Sequence, residues 1–101
     1  MINHVVLFKL KKYSAEEKQT VILELKNSLL RLKESIDELK YIEVGENYEL
    51  DTKSYDLALI THFESIEDLD KYRVHPKHLE VVKYVREVTE SRAAVDFHFD
   101  K

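Results

Sequence analysis

The residues best suited to chemistry in this chain are a tyrosine and a histidine on either side of its single proline. Tyr72 lies about one helical turn before Pro76, and His78 follows the proline by two residues. Proline disfavours helix at the residue before it but suits the first position of a new helix. The pattern therefore predicts two helices that meet here, with the phenol and the imidazole on their shared inner side.

These two side chains are able to provide acid–base chemistry without a metal or an organic cofactor. An imidazole with a free ring nitrogen is a general base toward a carbon acid, and a phenol can donate to a carbonyl oxygen that becomes an enolate. The start of a helix disfavours a protonated imidazole at His78. A structural interpretation stays open, because a histidine near a helix start often only bonds a neighbouring carboxylate. A tyrosine at a helix end, such as Tyr72, is commonly a packing residue.

The hydrophobic pattern predicts the elements that would position this pair. Their order is strand, helix, strand, strand, helix pair, strand. The predicted strands cover residues 2–10, 39–48, 55–63 and 93–99. Serines that resemble helix N-caps, Ser14 and Ser65, open the first helix and the helix pair. Ile66, Leu69 and Tyr72 are predicted to face inward, and the only glycine, Gly45, suggests a bulge or bend in the second strand.

This order predicts an α+β fold of the ferredoxin-like split β-α-β type, with a four-stranded antiparallel sheet and its helices on one face. A second apolar face is also suggested, which helices cannot cover. Its predicted members are Val5, Leu7, Leu57, Leu59, Val95, Phe97 and Phe99. Because an exposed apolar patch of this size usually marks an interface, we expect a homodimer with two sheets packed face to face, a dimeric α/β barrel.

Length and composition narrow the class of protein. A chain of 101 residues is expected to form a single domain, 1–101. The mixed charges and the net charge of −4 give no electrostatic footprint for nucleic acid, and the apolar runs are too short to span a membrane. The first residues lack the features of a secretory signal, so a cytoplasmic location is the default expectation. Cysteine is absent, which excludes disulfide and thiol chemistry.

Five short segments resemble the stress-responsive dimeric A/B barrel (Dabb) family. They are residues 4–9 (HVVLFK), 55–59 (YDLAL), 63–65 (FES), Tyr72, and 75–78 (HPKH). Each motif is weak alone, but together they span nearly the whole chain in the expected order. The resemblance implies a single Dabb domain over 1–101 and a dimeric barrel. One plant polyketide cyclase of this family closes a linear polyketide by an intramolecular aldol condensation, without a metal or an organic cofactor.

The resemblance also implies which residues form a site. The matching positions are His4 on the first strand, Tyr72, His78, and Asp96 on the last strand. His78, Tyr72 and Asp96 would be catalytic, with the Asp96 carboxylate accepting from one ring nitrogen of His78. His4 would line the pocket and bind substrate. Val6, Phe8 and Val82 are the further residues expected to bind substrate. The expected ligand is a small apolar molecule that bears a carbonyl or an aromatic ring.

Other functions stay open at this point. One alternative is a stress or binding protein without catalysis, whose pocket is vestigial or filled by core side chains. A cavity of a few hundred Å3 beside Tyr72 and His78 would favour ligand binding over this alternative. Fold analogy also allows a cofactor-independent monooxygenase. No metal and no cofactor are expected, although His75 and His78 are three residues apart. His62 and His98 are predicted on neighbouring strands, but no HExxH pattern or cysteine supports a zinc site.

Overall fold

The computed structural model describes residues 1–49 and 53–100, which form four strands and four helices. In chain order these are β1 (Ile2–Leu10), α1 (Ala15–Leu30), α2 (Leu32–Ser35), β2 (Tyr41–Glu46), β3 (Leu57–Phe63), α3 (Ile66–Val74), α4 (Pro76–Val88) and β4 (Thr89–His98). The strands make one antiparallel sheet in the order β2-β3-β1-β4. The helices pack on one face of it, which confirms the α+β ferredoxin-like fold. No helix in the described ranges is both long and apolar enough to cross a bilayer.

Serine caps begin the two helices that the sequence predicted to start with them. The hydroxyl oxygens of Ser14 and Ser65 each accept a hydrogen bond at 3.2 Å from the backbone N–H three residues later. Such caps satisfy donors that a helix start would otherwise leave without partners. Leu69 and Tyr72 are buried as predicted, but Ile66, the first residue of α3, is 55% exposed, so the prediction that it faces inward is wrong.

The proline junction forms as the sequence predicts. His75 has an extended backbone (φ −63°, ψ 134°), and Pro76 is the first residue of α4. The His75 ring caps that helix, since its Nδ1 accepts from the backbone N–H of Lys77 at 3.1 Å. This break places Tyr72 near the end of α3 and His78 in the first turn of α4.

The buried face of the sheet is defined by the central strand β1. Its alternate residues Ile2, His4, Val6, Phe8 and Leu10 are buried beneath the helices, together with Leu57, Leu59, Thr61 and Phe63 of β3. Val6 pairs directly with Leu59, and directly paired residues of antiparallel strands point to the same side. The prediction that Leu57 and Leu59 belong to the second apolar face is therefore wrong.

The outer face of the sheet, on the side away from the helices, carries exposed apolar side chains. Leu7, Val95 and Phe97 are 37%, 55% and 45% exposed, as their predicted alternation requires. Ala58 and Ile60, which pair with Leu7 and Val5, take the place that the sequence analysis gave to the two leucines of β3. Hereafter the outer face means Val5, Leu7, Ala58, Ile60, Val95 and Phe97.

Three details of the strands differ from the sequence-based predictions. Gly45 pairs regularly with Ala58, so the predicted bulge is absent there, and open space surrounds the position where a Cβ would lie. The pairing of β1 with β4 shifts register instead between Lys9 and Leu10. β4 begins at Thr89, four residues earlier than predicted. In addition, β1 separates β3 from β4, so the prediction that His62 and His98 lie on neighbouring strands is wrong.

Candidate functional site

A cavity of about 370 Å3 lies between the helices and the sheet. All seven predicted site residues line it: His4, Val6, Phe8, Tyr72, His78, Val82 and Asp96. They come from β1, α3, α4 and β4, elements far apart in sequence that the antiparallel sheet and the proline junction bring together. The structure thus places the predicted residues around one space, while their roles stay predictions.

Tyr72 lines this cavity and carries a buried hydroxyl with no partner among the described residues. Its side chain is 1% exposed, and its ring centroid lies 4.9 Å from that of Phe63 and 4.3 Å from that of His78. No described residue hydrogen-bonds its oxygen, which is unusual for a buried hydroxyl. Burial raises the pKa of Tyr72 well above its ordinary value, so the phenol stays protonated and can act as a donor.

His78 presents a neutral imidazole with a defined tautomer. Its Nδ1 lies 3.0 Å from the backbone carbonyl oxygen of Arg73. Because a carbonyl only accepts, Nδ1 must carry the proton, and Nε2 has the free lone pair. Burial lowers the pKa of His78, and the hydrogen bond to the Arg73 carbonyl opposes this effect. Electrostatic interactions with His4, Arg92 and Arg73 lower the pKa further. Near neutral pH the ring is therefore a base.

Asp96 does not contact the ring that the sequence analysis assigned to it. Its Oδ1 accepts a hydrogen bond from Nδ1 of His4, and its Oδ2 accepts one from Nη2 of Arg73 at 3.0 Å. The expectation that Asp96 holds His78 is wrong. His4 and Asp96 are direct partners in the β1–β4 pairing and face the helices together, so the carboxylate lies beside the His4 ring. His78 is held instead by the end of α3.

Two residues that line the cavity differ in their chemistry: Tyr72 carries a hydrogen-bond donor, and His78 carries a proton acceptor. The Tyr72 hydroxyl can donate to a ligand oxygen, and Nε2 of His78 can accept a proton from a neighbouring atom of the same ligand. Val6, Phe8 and Val82 add apolar surface to the lining of the cavity. The two side chains are thus of the types that proton transfer and oxyanion stabilisation require.

Three arginines belong to the site that were not predicted from the sequence. Arg73, Arg86 and Arg92 line the cavity. Arg92 escaped notice because the last strand was predicted to begin at residue 93, although it shares the face of Asp96 at a spacing of four residues. Arg86 was detectable, since it follows Val82 by one helical turn on α4.

The histidines do not form a metal site in the described part of the chain, where no three His, Asp or Glu side chains come together as ligands. His75 caps α4 and does not line the cavity, although it is close to His78 in sequence. The expectation that no metal or cofactor takes part stays a prediction.

The model of the stress-responsive A/B barrel domain matches residues 2–99. The chain belongs to this family. The stress-response A/B barrel domain-containing protein DABB1 of Arabidopsis thaliana is 31% identical over 100 residues, which cover 96% of this chain and 46% of that protein. This Dabb chain thus spans less than half the length of the curated relatives that it matches.

Solved structures share the fold of this Dabb protein. A dimeric protein of unknown function from Bacteroides fragilis, with a ferredoxin-like fold, is 35% identical, with a TM-score of 0.87 over 97% of this chain and 95% of that one. The hydroxynitrile lyase of Passiflora edulis superposes with a TM-score of 0.78 over 99% of this chain and 94% of that one. The two proteins are 17% identical, so the comparison shows only that they share a fold.

Proposed function

We propose that this Dabb protein binds a small, largely apolar molecule with a carbonyl group or an aromatic ring, and acts on it by cofactor-free acid–base chemistry. The observation that carries this proposal is Tyr72, a residue that lines a cavity of about 370 Å3 and whose buried hydroxyl has no partner in the described residues. A volume of this size suits a small molecule. The cavity therefore supports a ligand-binding protein over one whose pocket is filled by core side chains.

The chemistry proceeds as in a polyketide cyclase. Nε2 of His78 takes a proton from the carbon next to a carbonyl, and the C–H electron pair becomes the double bond of the enolate. The Tyr72 hydroxyl donates to the enolate oxygen and stabilises its charge. The enolate carbon then attacks a second carbonyl of the same molecule, and the resulting alkoxide takes its proton from the His78 imidazolium. No electrons are gained or lost overall.

Two alternatives use the same fold. A binding protein without catalysis would fill the same cavity with ligand and differ only in the absence of turnover. A cofactor-independent monooxygenase rests on fold analogy alone, and no described side chain favours it.

The test is a screen of polyketide-like substrates with the wild-type protein and the His78→Ala and Tyr72→Phe variants. Loss of a general base or an oxyanion donor should lower turnover by about 10²–10⁴-fold. His75→Ala is the matched control, since this histidine caps α4 outside the cavity. Unchanged turnover in both site variants would remove them from the mechanism. Binding without any turnover by the wild type would favour the binding protein.

We also propose that the chain is a homodimer that packs its outer face against a second copy. Leu7, Val95 and Phe97 expose apolar surface there, which is costly in water unless a partner covers it. The relative from Bacteroides fragilis, 35% identical, is described as dimeric. The cavity lies on the opposite side of the sheet, so such a dimer leaves it accessible.

A further inference from the structure

The cavity is lined by positive charge in a protein that is negative overall. The chain has a net charge of −4, yet three of its four arginines line the cavity, and none of the eleven lysines in the described ranges does. Among the described residues, Asp96 is the only carboxylate that lines the cavity. This distribution concentrates guanidinium groups at one place on the molecule.

Two of these guanidinium groups have no acidic partner in the part of the chain that the structure describes. Arg73 is occupied, because it pairs with Asp70 at 3.1 Å and with Asp96 at 3.0 Å. Arg86 and Arg92 make no ion pair with any residue in the ranges 1–49 and 53–100. Both residues are exposed and yet line the cavity, so they lie at its mouth.

The two arginines approach the mouth from different elements. Arg86 lies in the last turn of α4, and Arg92 lies on β4 directly opposite Phe8 of β1. Since Phe8 faces the helices, its cross-strand partner Arg92 faces them too. The helix and the sheet thus present one guanidinium each to the same opening. Two like charges near one opening repel each other, and an anion between them would relieve this cost.

We propose that the ligand of this cavity is an acid, with an apolar or aromatic body in the cavity and a carboxylate at the mouth bound by Arg86 and Arg92. The inference rests on the proposed binding function and names its ligand class. Guanidinium groups suit this task better than ammonium groups, since their planar donors match both oxygens of a carboxylate. The anchored carboxylate fixes the direction of the ligand and leaves its interior end beside Tyr72 and His78.

Binding of such an acid would also raise the pKa of His78. The charge of Arg92 helps to lower the pKa of this histidine in the free protein. A bound carboxylate that neutralises Arg92 would remove this effect and raise the pKa of His78 toward its ordinary value. An uncharged ligand of the same shape would leave the pKa of His78 unchanged. The pKa of His78 is therefore a second measurement that distinguishes an acid from an uncharged ligand.

The experiment compares matched acids and amides by isothermal titration calorimetry. The probes are 4-butylbenzoate with 4-butylbenzamide, and hexanoate with hexanamide. We expect each acid to bind at least about tenfold more tightly than its amide. Arg86→Gln and Arg92→Gln should each weaken the acids by about tenfold and change amide binding by less than about twofold. NMR should show that 4-butylbenzoate raises the pKa of His78 and that the amide does not.

The matched control is Arg31→Gln, because Arg31 is the one arginine that does not line the cavity, and its loss changes the net charge equally. Acid binding should be unaffected in this variant. Equal affinity for acid and amide, or equal weakening by Arg31→Gln and Arg92→Gln, would overturn the acid inference and leave the binding function intact. Failure of all four probes to bind would overturn both proposals.

Discussion

Asp96 accepts a hydrogen bond from His4, its direct cross-strand partner, and not from His78. This relationship gives the two histidines of the cavity different surroundings. His4 lies against a carboxylate, whereas the His78 ring donates to a backbone carbonyl, and the nearby guanidinium groups of Arg92 and Arg73 lower its pKa. The base of the proposed mechanism is therefore the histidine whose neutral form the site favours.

The first prediction concerns the tautomer of His78 in an Asp96→Asn variant. Because the Arg73 carbonyl holds Nδ1–H, the substitution should leave the proton on Nδ1, as measured by the 15N chemical shifts of the ring. Asp70→Asn is the control, since Asp70 is the other carboxylate that pairs with Arg73. A change of tautomer in Asp96→Asn alone would show that Asp96 does orient His78.

The second prediction is that Tyr72→Phe increases stability while it impairs ligand binding. Its hydroxyl is buried without a partner, and such a group costs about 1–3 kcal/mol. Removing it should raise the free energy of unfolding by about 1 kcal/mol, measured by urea denaturation. In the control Tyr84→Phe the lost hydroxyl donates to Glu24 at 2.8 Å, so a small decrease is expected. A destabilised Tyr72→Phe would indicate that the hydroxyl already has a partner.

The third prediction follows from the pKa of His78, which burial lowers below its ordinary value of 6.5. Below pH 6.5 the unfolded chain takes up a proton at this residue more readily than the folded chain does. The free energy of unfolding should therefore fall as the pH drops below about 6.5, until the folded-state pKa is passed. Urea denaturation at pH 7.5 and pH 5 should show a smaller decrease in His78→Gln than in the wild type.

The control for this pH dependence is Lys83→Gln, an exposed substitution on the same helix. It should keep the decrease of the wild type. If His78→Gln keeps the full decrease as well, His78 does not contribute to the acid sensitivity of the fold.

Local signals made much of this fold predictable. Caps at Ser14 and Ser65 and the break at Pro76 act within a few residues of chain, so the sequence alone determines where these helices begin. The division of β1 into two faces also follows from the sequence, since residues two apart in a strand point to the same side. The residues around the cavity were identified through the family resemblance, with His78 and Tyr72 supported by local pattern as well.

Features that depend on strand pairing were not predictable in the same way. The side of the sheet to which Leu59 belongs is decided by its pairing with Val6, and the partner of Asp96 by its pairing with His4. A single sequence does not give these registers. Arg92 was missed for a related reason, since β4 continues the chain directly after α4 with no turn residue to mark the change.

The fourth prediction tests the homodimer through Val95, which is 55% exposed on the outer face. Val95→Lys would place a charge between two packed sheets, so it should dissociate the dimer into single chains. Multi-angle light scattering at micromolar concentrations measures the mass. The control is Val74→Lys, since Val74 is 70% exposed at the end of α3, outside the sheet. A wild-type mass equal to one chain would reject the homodimer.

The fifth prediction concerns Asp56, a fully buried carboxylate just before β3 that the sequence analysis overlooked. Its Oδ2 accepts from the backbone N–H of Leu10 at 2.8 Å, and its Oδ1 lies 3.5 Å from Nζ of Lys18 and 3.9 Å from Nζ of Lys9. These contacts hold the end of β1, where its pairing with β4 shifts register. Asp56→Ala should lower the free energy of unfolding by about 3 kcal/mol, measured by urea denaturation.

Asp70→Ala is the control for Asp56→Ala, since it also removes a carboxylate from an ion pair, but on an exposed surface. Exposed pairs contribute little, so its effect should stay below about 1 kcal/mol. If both substitutions lowered the free energy of unfolding equally, water would stabilise the lysines near Asp56 as well as its carboxylate does. The end of β1 would then be held by strand pairing alone, and the position of Phe8 at the cavity would not depend on the buried carboxylate.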